Sequence, residues 1–273
     1  MTIQLGSYGI WRRAAETTPD LAREIESLGY GSLWAGGSPP GDLSSIEELI
    51  AATDQLSVAT GIVNMWRDDA ETVAASYRRI QTSHPNRFLL GVGVSHPESI
   101  AQYHSPYQTM DRYLDELAEA GVPVDHIILA ALGPRSLRLS AAKSAGTHPY
   151  FTTPRHTRMA RELLGDAAVV APEQTAVIDR DLDRARDLAR TFSARYLGLV
   201  NYRNSLLREG WSESDLDDGG SDRLVSEVVL VGDPETVADG IRAHLDAGAD
   251  NVNIQVLGDD PLPGYRALSR ELF

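Results

Sequence analysis

The chain has no cysteine and a single lysine, Lys143, in 273 residues. Without thiols there are no disulfides, no thiolate metal sites and no cysteine nucleophile. No stretch stays apolar for the ~18 residues that a membrane span needs. Basic residues are scarce as well: 25 Lys and Arg stand against 39 Asp and Glu, a formal charge of −14. Such a surface repels nucleic acid and anionic membranes, so an anionic ligand needs a local basic or backbone-amide site to overcome the overall field. No basic and apolar leader precedes Ile3, and the expected location is the cytoplasm. Linkers, repeats and low-complexity tracts are also missing, which predicts one domain over residues 1–273.

What the chain does have is a repeating rhythm. Short apolar, β-branched runs alternate with segments of helical period. Ser57–Asn64, a helix over Ala70–Thr82 and Phe88–Val94 show it most clearly, and they read as a parallel βαβ unit. Further strands are expected at Ile3–Ile10, Ser32–Ala35, His126–Leu132, Thr147–Thr152, Ala168–Ala171 and Asn251–Leu257. The first helix is expected over Pro19–Leu28, with Thr18 as its N-cap and Pro19 in its first turn. Residues 196–221 read as irregular and partly helical. Roughly eight strand–helix alternations with short connections favour a closed (β/α)8 TIM-type barrel over an open doubly wound sheet.

In such a barrel, chemistry sits at the C-terminal ends of the strands. The side chains expected there are Trp11, Ser38, Asn64, Trp66, Ser95, His96, His148, Tyr150, Glu173 and Gln174, with Gly37 and Gly133 beside them. The set is poor in paired carboxylates, which argues against a glycosidase. His96, His104, His148 and His156 lack short metal-ligand spacing, so no metal site is expected and a metal-dependent hydrolase is a distant reading. Gly93-Val94-Ser95-His96-Pro97 lacks the second glycine of a nucleophile elbow. Leu132-Gly133-Pro134 joins a strand end to a helix N-terminus. It fits a phosphate site or an ordinary βα turn, as does Gly146-Thr147-His148.

Several segments carry a family likeness: Leu28-Gly29-Tyr30-Gly31-Ser32-Leu33-Trp34, Ala59-Thr60-Gly61-Ile62-Val63-Asn64, and His84-Pro85-Asn86-Arg87-Phe88-Leu89-Leu90-Gly91-Val92-Gly93. Ala130–Pro134, Thr153–Thr157, Gly232-Asp233-Pro234 and Gly248-Ala249-Asp250 continue it. Through them the chain resembles the luciferase-like monooxygenase superfamily, more closely its branch of coenzyme F420 (deazaflavin)-dependent oxidoreductases. The resemblance implies a barrel that holds a flat ring at its strand C-termini, backed by a non-proline cis peptide at Gly61-Ile62. It implies Asn64 and Ser95 near the ring and Gly133, Gly146, Thr147 and His148 along the phosphate-bearing tail. It also implies a homodimer. The acidic residue and histidine that relatives carry after strand two are replaced by Gly37-Ser38, and Ser95-His96 stands where some carry a glutamate.

His96 is then the candidate for acid–base work, since imidazole titrates near neutrality. Arg67, Arg155, Arg158 and Arg203 are candidates to neutralise the tail, although each also reads as a solvated surface residue. The expected activity is hydride transfer between F420 and a small organic substrate. The alternatives are an FMN-dependent monooxygenase of the same superfamily and a cofactor-binding protein without turnover.

Overall fold

In the computed structural model, which describes residues 3–94 and 105–273, the strand–helix rhythm folds into a barrel of parallel strands. The strands are β1 (Tyr8–Arg13), β2 (Ser32–Gly36), β3 (Ser57–Gly61), β4 (Val63–Asn64), β5 (Phe88–Gly93) and β6 (Ile127–Leu129). They continue as β7 (Gly146–Thr147), β8 (Val169–Val170), β9 (Glu173–Ile178), β10 (Val229–Gly232) and β11 (Val252–Val256). The helices between them are α1 (Pro19–Ser27), α2 (Ser44–Ala51), α3 (Ala70–Ser83), α4 (Pro106–Glu119), α5 (Pro134–Lys143) and α6 (Pro154–Leu164). After β9 come α7 (Leu182–Leu197), α8 (Val200–Arg208), α9 (Glu213–Leu216), α10 (Asp222–Val228), α11 (Pro234–Asp246) and α12 (Leu262–Leu272).

The barrel closes through one extended run. β8 and β9 are halves of residues 169–178, interrupted at Ala171-Pro172, where the proline has no N–H to give. The first half pairs with β7 and the second with β11, and Glu173 N still donates to Pro149 O. Eight strand positions therefore surround one interior, and β10 is an added strand on the far side of β9. The interior is filled by Ile3, Leu5, Trp11, Trp34, Ala59, Leu89, Ile128 and Ala171. Outside it, the apolar stripes of the helices pack on the sheet, as with Val73, Ala74, Tyr77 and Ile80 of α3.

The helix expectations hold to within a few residues, and Thr18 caps α1 by accepting from Leu21 N. The first strand does not hold. It starts at Tyr8, because Gly6 at φ +67° turns the chain, and Ile3 and Leu5 go into the barrel interior instead. The expected strand Thr147–Thr152 shrinks to Gly146–Thr147, and residues 182–208 are almost wholly helical.

Two side chains set the entry into β3. Arg87 donates to Thr53 O, Thr53 Oγ1 and Leu56 O. The Glu26 carboxylate accepts from the N–H groups of Asp54, Gln55 and Leu56. Burial works against that charge, but the three backbone donors and Arg87 outweigh it and hold the Glu26 carboxyl below its usual pKa. Its stabilisation is therefore present above the unfolded carboxylate pKa and is lost as the pH falls. Glu26→Gln is expected to cost about 1–2 kcal/mol at neutral pH, read as a lower urea midpoint. A midpoint equal to that of the parent would show that these bonds add nothing net.

Candidate active site

The strand tips surround a cavity of about 630 Å³, lined on one side by Ile62, Val94, Met110, Ala130, Ala131 and Leu132. Its floor depends on two glycines. A Cβ on Gly36 would lie 2.0 Å from Cζ2 of Trp11, and one on Gly61 would lie 2.8 Å from Trp11 Nε1 and 3.2 Å from His148 Nε2. Because both positions lack a side chain, the Trp11 indole lies across the tips of β2 and β3. The Gly61–Ile62 peptide is cis, at the bond the resemblance implies.

His148 is fully buried beneath this floor and stacks on Trp34 at 4.1 Å. Its Nδ1–H donates to Ala171 O at 2.7 Å, which leaves Nε2 as a bare acceptor. Burial, opposed only by that bond, pushes its pKa down to about 4, so the ring is neutral at physiological pH. Among the described residues, Trp11 Nε1 and His148 Nε2 have no hydrogen-bond partner. An unpaired buried donor and an unpaired buried acceptor, side by side under a flat apolar wall, fit a planar ring with a mixed donor–acceptor edge.

The opposite wall comes from Tyr150 and from α7 and α8. Tyr150 donates to Gln255 Oε1 at 2.8 Å, lies 3.1 Å from the Tyr196 hydroxyl and packs on Trp11 with ring centroids 5.3 Å apart. Asn201, Asn204 and Arg208 of α8 line the cavity at spacings of i, i+3 and i+7, which is one helix face. Arg13 and Arg195 complete the rim. Among the described residues no carboxylate pairs with Arg13, Arg195 or Arg208, and no acidic side chain lines this cavity. In a chain of charge −14 this is a local cationic mouth. Arg208 lies beside the N-terminus of α5, its Nη1 3.7 Å from where a Gly133 Cβ would be. Ser136 donates from its hydroxyl to Gly133 O in the same turn.

Of the residues singled out from sequence, Gly61, Ile62, Gly133 and His148 line the cavity together. Trp11, Gly37, Ser38 and Tyr150 join them. Asn64 is half-buried off the cavity, its Oδ1 accepting from Trp66 N at 2.9 Å. Gly146 and Thr147 are buried in the sheet, and the Thr147 hydroxyl bonds to Leu129 O and Ala131 O. Ser95 and His96 lie outside the described residues. Glu173 is 1% exposed behind the tyrosine wall, accepting from Thr175 Oγ1 at 2.5 Å. Gln174 is buried in a bond with His244.

The arginines at the mouth are not those expected. Arg67 holds the loop after β2 by donating to Ser38 O and Pro39 O, Arg155 lies over Trp211, and Arg203 pairs with Glu213 and Asp217. Helical phase separates Arg203 from its neighbours: it lies about 160° round the helix from Asn201 and about 100° from Asn204. A period search over residues 195–208 would have found Asn201, Asn204 and Arg208.

Among the described residues no group of three His, Asp or Glu is placed to hold a metal ion, and no helix is long and apolar enough to cross a membrane.

Known proteins match on two levels. Residues 120–251 match the family model described as luciferase-like monooxygenase. No curated protein matches the sequence. An F420-dependent secondary alcohol dehydrogenase, solved in complex with an F420–acetone adduct, is 14% identical, with 97% of each chain covered and a TM-score of 0.76. The coenzyme F420-dependent tetrahydromethanopterin reductase from Methanopyrus kandleri is 14% identical over 98% of each chain, with a TM-score of 0.74. The oxygenating constituent of 3,6-diketocamphane monooxygenase from Pseudomonas putida, solved with FMN, is 15% identical. There 97% of this chain and 96% of that one are covered, with a TM-score of 0.68. The family match thus spans residues 120–251, just under half of the chain, and the fold along the described chain is the one these solved structures share.

Proposed function

We propose that the protein is an oxidoreductase that binds coenzyme F420 at the strand C-termini and moves a hydride between it and a small organic substrate. The observation that carries this reading is the cavity itself. It is a slot over Trp11, Gly61 and His148 that opens into a mouth where, among the described residues, three arginines have no carboxylate partner and no acid lines the wall. A flat slot with a cationic mouth matches a cofactor with a planar ring and an anionic tail, whose phosphate Arg208 and the start of α5 would engage. F420 is the preferred reading because two F420-dependent enzymes share the fold over 97–98% of the chain. FMN remains the second reading because an FMN enzyme shares the fold.

When bound, the cofactor would carry the hydride chemistry in either direction. The chain's part is to hold the ring edge at Trp11 Nε1 and His148 Nε2, to place the phosphate between the α5 N-terminus and Arg208, and to wall off water with Ile62, Met110 and Leu132. His96 is the proposed acid–base group.

Side-by-side titrations of the purified protein with F420 and FMN test this. F420 is expected to bind at least about tenfold more tightly, and Arg208→Gln to weaken it by about tenfold through loss of a charge-assisted contact. Preference for FMN would replace the reading with the monooxygenase one. Failure to bind either would remove both.

A further inference from the structure

A second, smaller chamber of about 220 Å³ lies on the β1–β11 side of the barrel mouth. It shares Trp11, Arg13, Tyr150, Arg195 and Tyr196 with the main cavity, so one aromatic and cationic partition separates the two. Its size is below the ~300 Å³ at which sites for drug-sized ligands begin, so it admits a small molecule but not a whole dinucleotide-like cofactor.

The chamber's chemistry is one-sided. Tyr150 donates to Oε1 of Gln255, which leaves the Gln255 amide NH2 as a donor toward the chamber. Arg13 and Arg195 add two guanidinium groups without carboxylate partners among the described residues. The acid in the wall, Glu16, is held by Arg12 at 3.4 Å. Donors therefore outnumber free acceptors, and the remaining wall is the flat faces of Trp11, Tyr150 and Tyr196. A chain with so large a negative charge gains nothing in solubility from a donor-rich, cation-bearing recess. It is what an oxyanion requires.

We propose that this chamber takes the carboxylate end of the substrate: a small planar acid, its oxyanion held by Arg13, Arg195 and Gln255 and its plane lying on the tyrosines. The rest of the molecule then passes the Trp11–Tyr150 partition into the main cavity. The assignment to substrate rests on the cofactor reading above, whereas the carboxylate chemistry stands on the chamber alone. One other source could supply the same group, the anionic tail of the cofactor.

Benzoate and its neutral isostere benzamide separate these cases by isothermal titration calorimetry, with and without F420 or FMN. Benzoate is expected to bind at least about tenfold more tightly than benzamide and to weaken at high salt. Arg195→Gln and Arg13→Gln are each expected to reduce benzoate affinity about fivefold, with cofactor affinity changed less than about twofold. Equal binding of the two probes, or benzoate affinity unmoved in both variants, overturns the proposal. If F420 displaces benzoate, FMN does not, and Arg195→Gln weakens F420 as much as benzoate, the chamber holds the cofactor tail and the substrate assignment fails. Arginine-dependent benzoate binding without binding of either cofactor would sink the cofactor reading and leave the carboxylate site standing.

Discussion

Gly91→Ala is expected to cost about 3 kcal/mol of folding stability, lowering Tm by roughly 8 °C, and to abolish cofactor binding. The reason lies in the strand register. Ala59 pairs with Leu89, but Val63 pairs with Val92, so residues 60–62 of one strand face only residues 90–91 of the other. That is a β-bulge with one extra residue, and it contains the cis Gly61–Ile62 peptide. The ladder is repaired by a side chain: the Thr60 hydroxyl accepts from Gly91 N at 2.8 Å and donates to Gly91 O at 2.7 Å. The strands can approach this closely only because position 91 is glycine. A Cβ there would lie 1.8 Å from Thr60 O, which is main chain and has no rotamer to escape into.

Relief of that clash means parting the strands at the bulge, with loss of both hydroxyl bonds and of the floor beneath Trp11. Gly121→Ala is the matched control. Gly121 sits at φ +86° with nothing within 4 Å of a Cβ, so it carries only the conformational cost, about 1 kcal/mol. Urea unfolding of the two variants decides the matter. Equal midpoints would mean that the Thr60–Gly91 contact does not clamp the bulge.

The bulge also marks where sequence reading succeeds and where it stops. Apolar period and turn residues made the strand–helix alternation legible, and the strand tips followed from it. Trp11 within β1, Gly61 at the end of β3, and Gly133 and His148 in the segments after β6 and β7 line the cavity together. Asn64, which the resemblance implies near the ring, is not among the residues that line the cavity. After the bulge, Asn64 turns to cap its own loop. Gly146 and Thr147 reflect a similar effect: the strand is only two residues long, so both remain in the sheet and His148 is the first residue to reach the site. The cationic mouth is legible only in part. Arg208 shares a helix face with Asn201 and Asn204, but Arg13 is far from it in sequence, and the three arginines converge only when β1, α7 and α8 pack.

Glu173→Gln is expected to stabilise the protein by about 4 kcal/mol more at pH 8.5 than at pH 5. Glu173 is fully enclosed, and burial pushes its carboxyl up to about 8, only partly offset by the bonds from Thr175 and Phe151. Its folded pKa thus lies above its unfolded value, and between pH 4.5 and about 8 the folded chain holds a proton that the unfolded chain has released. Stability attached to this group is therefore lost as the pH rises through that window. Glu209, pushed up to about 7 by burial, acts in the same direction.

The buried histidines act oppositely. His148 and His156 are pushed down to about 4 and His244 to about 3, chiefly by burial, so unfolding takes up protons below the ordinary histidine pKa. Their contribution is lost as the pH falls from about 6.5 toward 4. The parent is expected to be most stable near pH 6.5, with an acid limb set by the histidines and an alkaline limb set by the two glutamates. Glu173→Gln keeps an acceptor for one neighbour and removes the titration, so the alkaline limb should flatten and the acid limb, no longer opposed by Glu173 above about pH 4.5, should steepen. Parallel pH profiles for variant and parent would show that Glu173 is ionised in the folded state. In that case a negative charge would stand directly behind Tyr150 and Tyr202, and the cavity wall would repel the anions that its arginines are placed to attract.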